Sequence, residues 1–263
     1  RPRTRVDSRP QAAPTERDAR TTPAVIHRLY VPPSLESGQT LKLTGDRAHY
    51  LTRVLRLRRG EAVECFDGSG RAWRATLVDA SVRHALLAVQ ETVADEPAPA
   101  PRLHLVQGLL KGASMDVVVQ KATELGATDL HPVLAERSNV PQDPARRERK
   151  LEHWQRVIES AAEQSRTLHL PALYPVERLT DWLAAPPPAR LVMLHPGAPA
   201  LPVGLPREDL AVLIGPEGGW SDAERAAALD AGAVCYGLGR RILRGETAPL
   251  AVLAAVRHGW GWD

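Results

Sequence analysis

The chain has 263 residues, 43% hydrophobic and 25% charged, with a formal net charge of +3, a globular composition with room for one large domain or two modest ones. It holds no run near the ~18–20 consecutive apolar residues of a membrane-spanning helix, and no apolar stretch with a small-residue cleavage site at its start, so neither a membrane span nor secretion is expected. Cys65 and Cys235 stand far apart with no CxxC pair, which leaves no disulfide framework or cysteine zinc site and fits a reducing cytoplasm.

Taken in chain order, residues 1–25 are rich in Pro, Arg, Thr and Ala, with six arginines against Asp7, Glu16 and Asp18. So few large apolar residues cannot offset the entropy of ordering, and a mobile extension is predicted. The carboxylates and prolines argue against a mitochondrial transit peptide. Residues 26–93 carry ten basic and seven acidic side chains, and residues 103–263 seventeen and nineteen. A basic front and a slightly acidic back suggest that the N-terminal part meets an anion, nucleic acid first among candidates. The 30 Arg against 4 Lys are also what codon usage can produce, so charge alone does not decide.

Within 26–93, HRLYV, TLKL, AVECFDGSG, AWRATLVDA and ALLAVQETV are short β-compatible segments separated by Gly, Asp and Ser, the pattern of a small β-barrel or sandwich. Between them, GDRAHYLTRVLRLRRG places His49, Tyr50, Val54 and Leu57 at helical spacing, with Asp46 near the start and Gly60 past the end, and predicts one helix. ADEPAPAP at 94–101 is an extended Pro/Ala linker and the best domain boundary.

From 102 onward strands and helices alternate: LHLVQGLL, the helix MDVVVQKATELGA ended by Gly126, DLHPVLA, the long helix PARRERKLEHWQRVIESAAEQS, PALYPV, ERLTDWLAA, ARLVMLHPG, LAVLIGPEGG, the helix SDAERAAALDAG, AVCYGLG, and a last helix from about Thr247. This predicts an α/β domain around a mainly parallel sheet.

Ligands of open α/β sheets gather beyond the carboxyl ends of strands. Three glycine-bearing loops stand there: LHPGA (194–198), IGPEGGW (214–220) and LGRRILRGETAP (238–249). Glycine permits positive φ or close backbone approach, so the three together suggest a backbone-lined pocket. No GxxxxGK[ST] occurs, and Gly237, Gly239 and Gly245 do not fit GxGxxG, which disfavours a phosphate-cradling site. Ser221 and Glu224 read as a capping box, which accounts for the helix start but not for the glycines before it.

HYLTRVLRLRRGE with FDGSG, KG at 111–112, QKATELGA, ERSNV, KLEHWQRVIESAAEQSRT, LIGPEGGWSDAE and LGRRILRGETAPL, in this order, resemble the RsmE family, the 16S ribosomal RNA uridine N3-methyltransferases of the SPOUT superfamily. The resemblance runs from about His27 to about His258, and GPEGG followed by LGxRILRxETA is its most specific part. It implies an N-terminal PUA-like β-barrel for RNA, a C-terminal SPOUT α/β domain with a trefoil knot, S-adenosylmethionine as methyl donor, and a homodimer. The partner implied is 16S ribosomal RNA or the small ribosomal subunit, with no metal and no membrane.

Such a cofactor carries no phosphate and asks for an apolar slot with backbone hydrogen bonds. Leu194, Gly215, Gly218, Leu238, Gly239, Ile242, Leu243, Thr247 and Ala248 are assigned to it, core packing being the other reading for Leu238, Ile242 and Leu243. Uridine N3 must lose a proton, and the charge that develops spreads to its carbonyl oxygens. Arg244 fits either stabilisation of that charge or a phosphate clamp. Glu246 is named with it as catalytic, with Glu217 and Glu163 as further candidate carboxylates. Gly245, where Thr is expected in relatives, is read as added backbone freedom beside Arg244. Gln164 and Arg166 end the long helix near the family's active site, as ordinary capping also would.

Arg53, Arg56, Arg58 and Arg59 form a basic stretch that, with Arg28, Arg71 and Arg74, is expected to meet RNA phosphate, a solvated face being the alternative. His49, His104, His131, His153, His169, His195 and His258 lack metal-ligand spacing such as HExxH and read as structural or surface. The expected activity is methylation of N3 of a 16S uridine. Its rivals are a related SPOUT methyltransferase acting on another base or a ribose hydroxyl, and a non-catalytic RNA-binding assembly factor.

Overall fold

The computed structural model describes residues 26–32, 35–81, 84–139 and 143–261. The extension expected at 1–25 lies outside them. The first domain is a five-stranded sheet of β1 (His27–Tyr30), β2 (Thr40–Thr44), β3 (Ala62–Phe66), β4 (Arg71–Ala80) and β5 (His84–Asp95), ordered β1-β3-β4-β5-β2. β1 runs parallel to β3, while β3–β4, β4–β5 and β5–β2 are antiparallel. Alternation drives the inward face: Val63, Cys65, Trp73, Ala75, Leu77, Ala85, Leu87 and Val89 form its core with Leu29 and Leu43, as period-2 side chains on a half-buried sheet must. β5 continues through Ala94 and Asp95, paired with Ala72 and Arg71, two residues into the predicted linker, because the first proline that cannot join a ladder is Pro97.

The predicted helix of this domain is shorter and turned differently. α1 spans Gly45–His49, a π-helical turn follows over Tyr50–Val54, and Arg56 adopts φ 54°. Ala48 and Leu51 enter the core, whereas His49 and Val54 are exposed. The wider π turn shifts the register by which residues face inward, so α-helical spacing picked some of the wrong ones.

The second domain is an α/β sandwich. Its parallel sheet comprises β6 (Leu103–Gly108), β7 (Asp129–Leu134), β8 (Ala172–Leu173), β9 (Glu177–Arg178), β10 (Arg190–Leu194), β11 (Leu210–Ile214) and β12 (Val234–Tyr236), in the order β12-β10-β11-β6-β7-β8, with β9 also on β7. The helices are α2 (Ser114–Glu124), α3 (Pro144–Ser165), α4 (Leu179–Ala184), α5 (Asp222–Asp230) and α6 (Thr247–Trp260). Leu210, Val212 and Ile214 of β11 face the core shared with α2, α3 and α6, while Ala211 and Leu213 face that shared with α4 and α5. Both faces are thus covered, as a parallel sheet requires.

Pro249, Val252, Leu253, Val256 and Trp260 of α6 are buried within the chain, and Val252, Leu253, Val256 and Trp260 join the core with α2 and α3. The segment after β10 bonds the chain leaving β12, through Leu201 N–H to Gly237 O at 2.9 Å and Gly237 N–H to Pro199 O at 2.7 Å, and meets the end of α6, where Trp260 Nε1–H donates to Pro206 O at 3.1 Å.

The two domains share a small apolar cluster of Tyr30, Phe66, Ala72, Ala162 and Leu168. Arg47 on α1 donates to Glu159 (2.7 Å) and Glu163 (3.2 Å) on α3 beside it. No helix among the described residues is long and apolar enough to cross a membrane.

Candidate active site

β10, β11 and β12 are adjacent and parallel, so the three glycine-bearing loops that follow them emerge on one edge. They enclose a cavity of about 680 Å³. Leu194, Gly215, Gly218, Leu238, Gly239, Ile242, Leu243 and Ala248 line it, as do Arg244 and Glu246. Thr247 does not; it opens α6 on the exposed side. Ile242 is 85% exposed, an apolar side chain on the lip rather than in the packing.

The turns are held from below. Ser221 and Glu224 form the predicted capping box, and Oε1 of Glu224 also accepts the backbone N–H of Glu136 at 2.8 Å. Lys111 N–H donates to Glu217 Oε1 at 2.9 Å, fastening the loop after β6 to the 214–220 turn. A Cβ on Gly108 would lie 2.6 Å from Pro216 Cδ and 2.7 Å from its backbone nitrogen, so this close approach is open to glycine alone.

The glycines of the pocket act for different reasons. Gly239 has φ +94° with open space around it, whereas a Cβ on Gly218 would meet Arg137 Cβ at 2.9 Å. Gly245 corrects the sequence reading. Its φ is not positive, and the place of its missing Cβ is taken by Leu110 Cδ2, 2.7 Å away. It makes room for a core leucine and loosens nothing.

The three candidate carboxylates part company. Glu163 sits at the domain seam, accepting Tyr30 N–H at 2.9 Å and Arg47, with its carboxyl raised by burial; it does not line the cavity. Glu217 lines it, with one oxygen held by Lys111. Glu246 lines it as the N-cap of α6, with no side-chain cap bond. Arg244 stands on the rim, its carbonyl accepting from Thr247 and Ala248 at 2.9 and 3.1 Å.

Of the arginines expected to meet RNA, Arg53, Arg56 and Arg58 lie along and after the π turn, and Arg71 is exposed, its guanidinium 5.7 Å from the Trp73 ring. Arg28 is not on that surface. Its side chain is 5% exposed, paired with Glu64 at 2.7 Å and set over the Phe66 ring at 4.8 Å. Arg74 pairs with Glu91 at 3.4 Å.

Sequence reasoning missed Ser114 and Arg137 as lining residues; Pro196, Trp220 and Arg241 lie in the three loops it marked but were given no role, and His195, read as structural or surface, lines the cavity too. For His195 the signal was its place in the LHPGA loop; for Arg137, the ERSNV segment, which was quoted without a role. Spacing also hid one group: among the described residues, His104, Asp129 and His131 bring three possible ligand atoms within 4.8 Å. Asp129 accepts from Arg102, Thr128 (2.6 Å) and Tyr174 (3.1 Å), so its lone pairs are taken and its charge is balanced by a guanidinium. His131 stacks on Tyr174 at 4.0 Å, and burial drops its pKa to about 4.

A model of the RNA methyltransferase domain matches residues 96–257, and one of the RNA methyltransferase PUA domain matches residues 43–90. Ribosomal RNA small subunit methyltransferase E of Synechocystis sp. is 35% identical over 251 residues, 92% of this chain and 81% of that protein. Its namesake in Bacillus subtilis is 30% identical, over 85% of this chain and 92% of that protein. Two solved structures are similar throughout. Ribosomal RNA small subunit methyltransferase E from Neisseria gonorrhoeae bound to S-adenosyl methionine has a TM-score of 0.80 at 33% identity, covering 89% of this chain and 97% of that one. A methyltransferase from Legionella pneumophila with bound cofactor SAM has a TM-score of 0.82 at 29% identity over the same shares.

Proposed function

This chain belongs to the ribosomal RNA small subunit methyltransferase E family of RNA methyltransferases, and we propose that it transfers a methyl group from S-adenosylmethionine to N3 of a uridine in 16S ribosomal RNA. It is an S-adenosylmethionine-dependent ribosomal RNA methyltransferase with a PUA domain before its catalytic domain; the atom and the base are the proposal.

The observation that carries it is the cavity beyond β10, β11 and β12. Its size lies in the range of small-molecule sites. Leu194, Ile214, Leu238 and Leu243 supply apolar lining, and glycine turns bring backbone polar groups to the wall. Its lining cations are Arg137, Arg241 and Arg244, with no lysine among the described residues. When bound, the cofactor supplies an electrophilic methyl on a cationic sulfur.

In this reading Arg244 donates to the uracil carbonyl oxygens as N3 loses its proton, because a preorganised cation aimed at developing charge lowers the barrier. Glu246 takes the proton. What supports Glu246 over its rivals is that Glu163 lies away from the cavity and Glu217 is already an anchor. Arg53, Arg56, Arg58 and Arg71 hold phosphates on the barrel, and Arg28 is left out. A cytoplasmic location is part of this proposal, and action on ribosomal RNA supports it. The trefoil knot is part of the same proposal: it rests on the resemblance, supported by the bonds of the 199–201 segment to Gly237 after β12. The homodimer rests on the resemblance alone, and light scattering tests it.

The deciding experiment is mass-spectrometric mapping of methylated nucleotides in ribosomal RNA from cells with and without this protein. Loss of one N3-methyluridine from 16S RNA is expected. Loss of a ribose methyl or of another base's methyl would replace the proposed atom, and no loss at all would overturn the reading.

A further inference from the structure

Arg137 is a cation of the cavity that the proposed reaction does not yet use. It belongs to the segment after β7, not to the three loops that build the pocket, yet it lines the same cavity as Arg241 and Arg244 of the β12–α6 loop.

Its backbone is fixed on three sides. Glu136 N–H donates to Glu224 Oε1 at 2.8 Å, Ala135 N–H to Ser138 Oγ at 3.1 Å, and Ser138 N–H to Ala135 O at 2.9 Å. Its Cβ rests where Gly218 lacks one. The capping glutamate of α5 therefore does two things: it closes the helix start and pins the stem of Arg137 against the 214–220 turn.

The far end is free by comparison. Arg137 is exposed, and its guanidinium makes one long hydrogen bond, Nη1–H to Gly218 O at 3.4 Å. No carboxylate among the described residues pairs with it, whereas Arg28, Arg47, Arg102 and Arg190 all have one. A guanidinium on a rigid stem, open to solvent and without an anion, is suited to bidentate capture of a planar or tetrahedral oxyanion.

Two anions come to such a cavity: a phosphodiester of the RNA and the carboxylate of the cofactor's methionine part. Its exposure, and its place on the segment after β7 rather than on the three loops assigned to the cofactor, favour the phosphodiester. We propose that Arg137 holds a backbone phosphate next to the target nucleotide, so that RNA is gripped from a second wall of the cavity, independently of the barrel. This rests on the methyltransferase reading above.

The test uses the full-length protein, with S-adenosylmethionine binding by calorimetry and binding of a 16S RNA fragment across a salt series. Arg137→Ala should weaken RNA binding on the order of tenfold and reduce the salt slope by about one unit. S-adenosylmethionine affinity should stay as in the wild type, and RNA affinity and salt slope should change more than the single-turnover rate at saturating RNA. Arg137→Lys, which keeps a point charge, should restore the slope and part of the affinity, and thermal melting of both variants confirms folding. Weaker S-adenosylmethionine binding with normal RNA binding would overturn the proposal in favour of the cofactor carboxylate. A lower saturated rate alone would move Arg137 to the reacting base and overturn it equally, as would no change in any readout. Failure of the methyltransferase reading itself would instead appear in the wild-type reference, as absent methylation of 16S RNA.

Discussion

The backbone N–H of Tyr30 in β1 donates to Oε1 of Glu163 in α3 at 2.9 Å, a hydrogen bond between residues 133 apart in sequence. It makes a carboxylate that looked like a catalytic candidate into a fastening between domains. Removing it leaves a part-buried amide and Arg47 short of an acceptor. Glu163→Ala should therefore cost about 1–3 kcal/mol of stability while S-adenosylmethionine affinity stays unchanged. Melting curves and calorimetry decide; weakened cofactor binding with unchanged stability would return Glu163 to the active site.

Arg244 and the barrel arginines should separate kinetically. Arg244→Ala should lower the single-turnover methylation rate at saturating RNA with RNA affinity nearly intact. Arg53→Ala and Arg56→Ala should weaken RNA binding and flatten its salt dependence by roughly one unit or less for each phosphate no longer held, at a similar saturated rate. If Arg244→Ala is an affinity variant with a normal saturated rate, it belongs with the phosphate-binding arginines.

Gly108 and Gly239 should fail in different ways. The Cβ of Gly108→Ala collides with the backbone nitrogen of Pro216, which cannot swing aside. The 214–220 turn must move, and both stability, by about 1–3 kcal/mol, and S-adenosylmethionine affinity should fall. Gly239→Ala meets nothing but is held at φ +94°, costing about 1–2 kcal/mol of strain. Gly245→Thr must displace the end of the Leu110 side chain, and its effect should shrink in a Leu110→Ala background, a coupling that a double-mutant cycle measures.

His131 should make the fold acid-sensitive. Burial holds its pKa near 4, below the ordinary 6.5. The unfolded chain thus takes up a proton that the folded chain refuses, and stability falls as pH falls from about 6.5 toward 4. His104, also lowered by burial, acts in the same direction. Melting temperatures of wild type and His131→Phe across this window should show a flatter dependence in the variant; identical slopes would remove the assignment.

Local patterns in the sequence determined much of this protein. Alternation in AWRATLVDA specifies a half-buried strand because side-chain direction reverses at every residue, the unbroken apolar run LAVLI specifies a strand covered on both faces, and the glycine loops after the parallel strands mark the cavity because strand ends in a parallel sheet gather there. The ordered segments from HYLTRVLRLRRGE to LGRRILRGETAPL carried the family. Tertiary structure decided what a residue does when its surroundings come from elsewhere in the chain. Arg28 is an arginine on a basic module until β3 brings Glu64 beside it. Glu163 is one carboxylate among three until β1 supplies an N–H. Gly245 reads as freedom until Leu110 arrives to fill its place, and Arg137 has no role in sequence because its stem is set by Glu224, 87 residues away. Periodicity reports which way a side chain points relative to its own backbone; only packing of distant segments settles which charges are neutralised, which remain free, and which glycines make room.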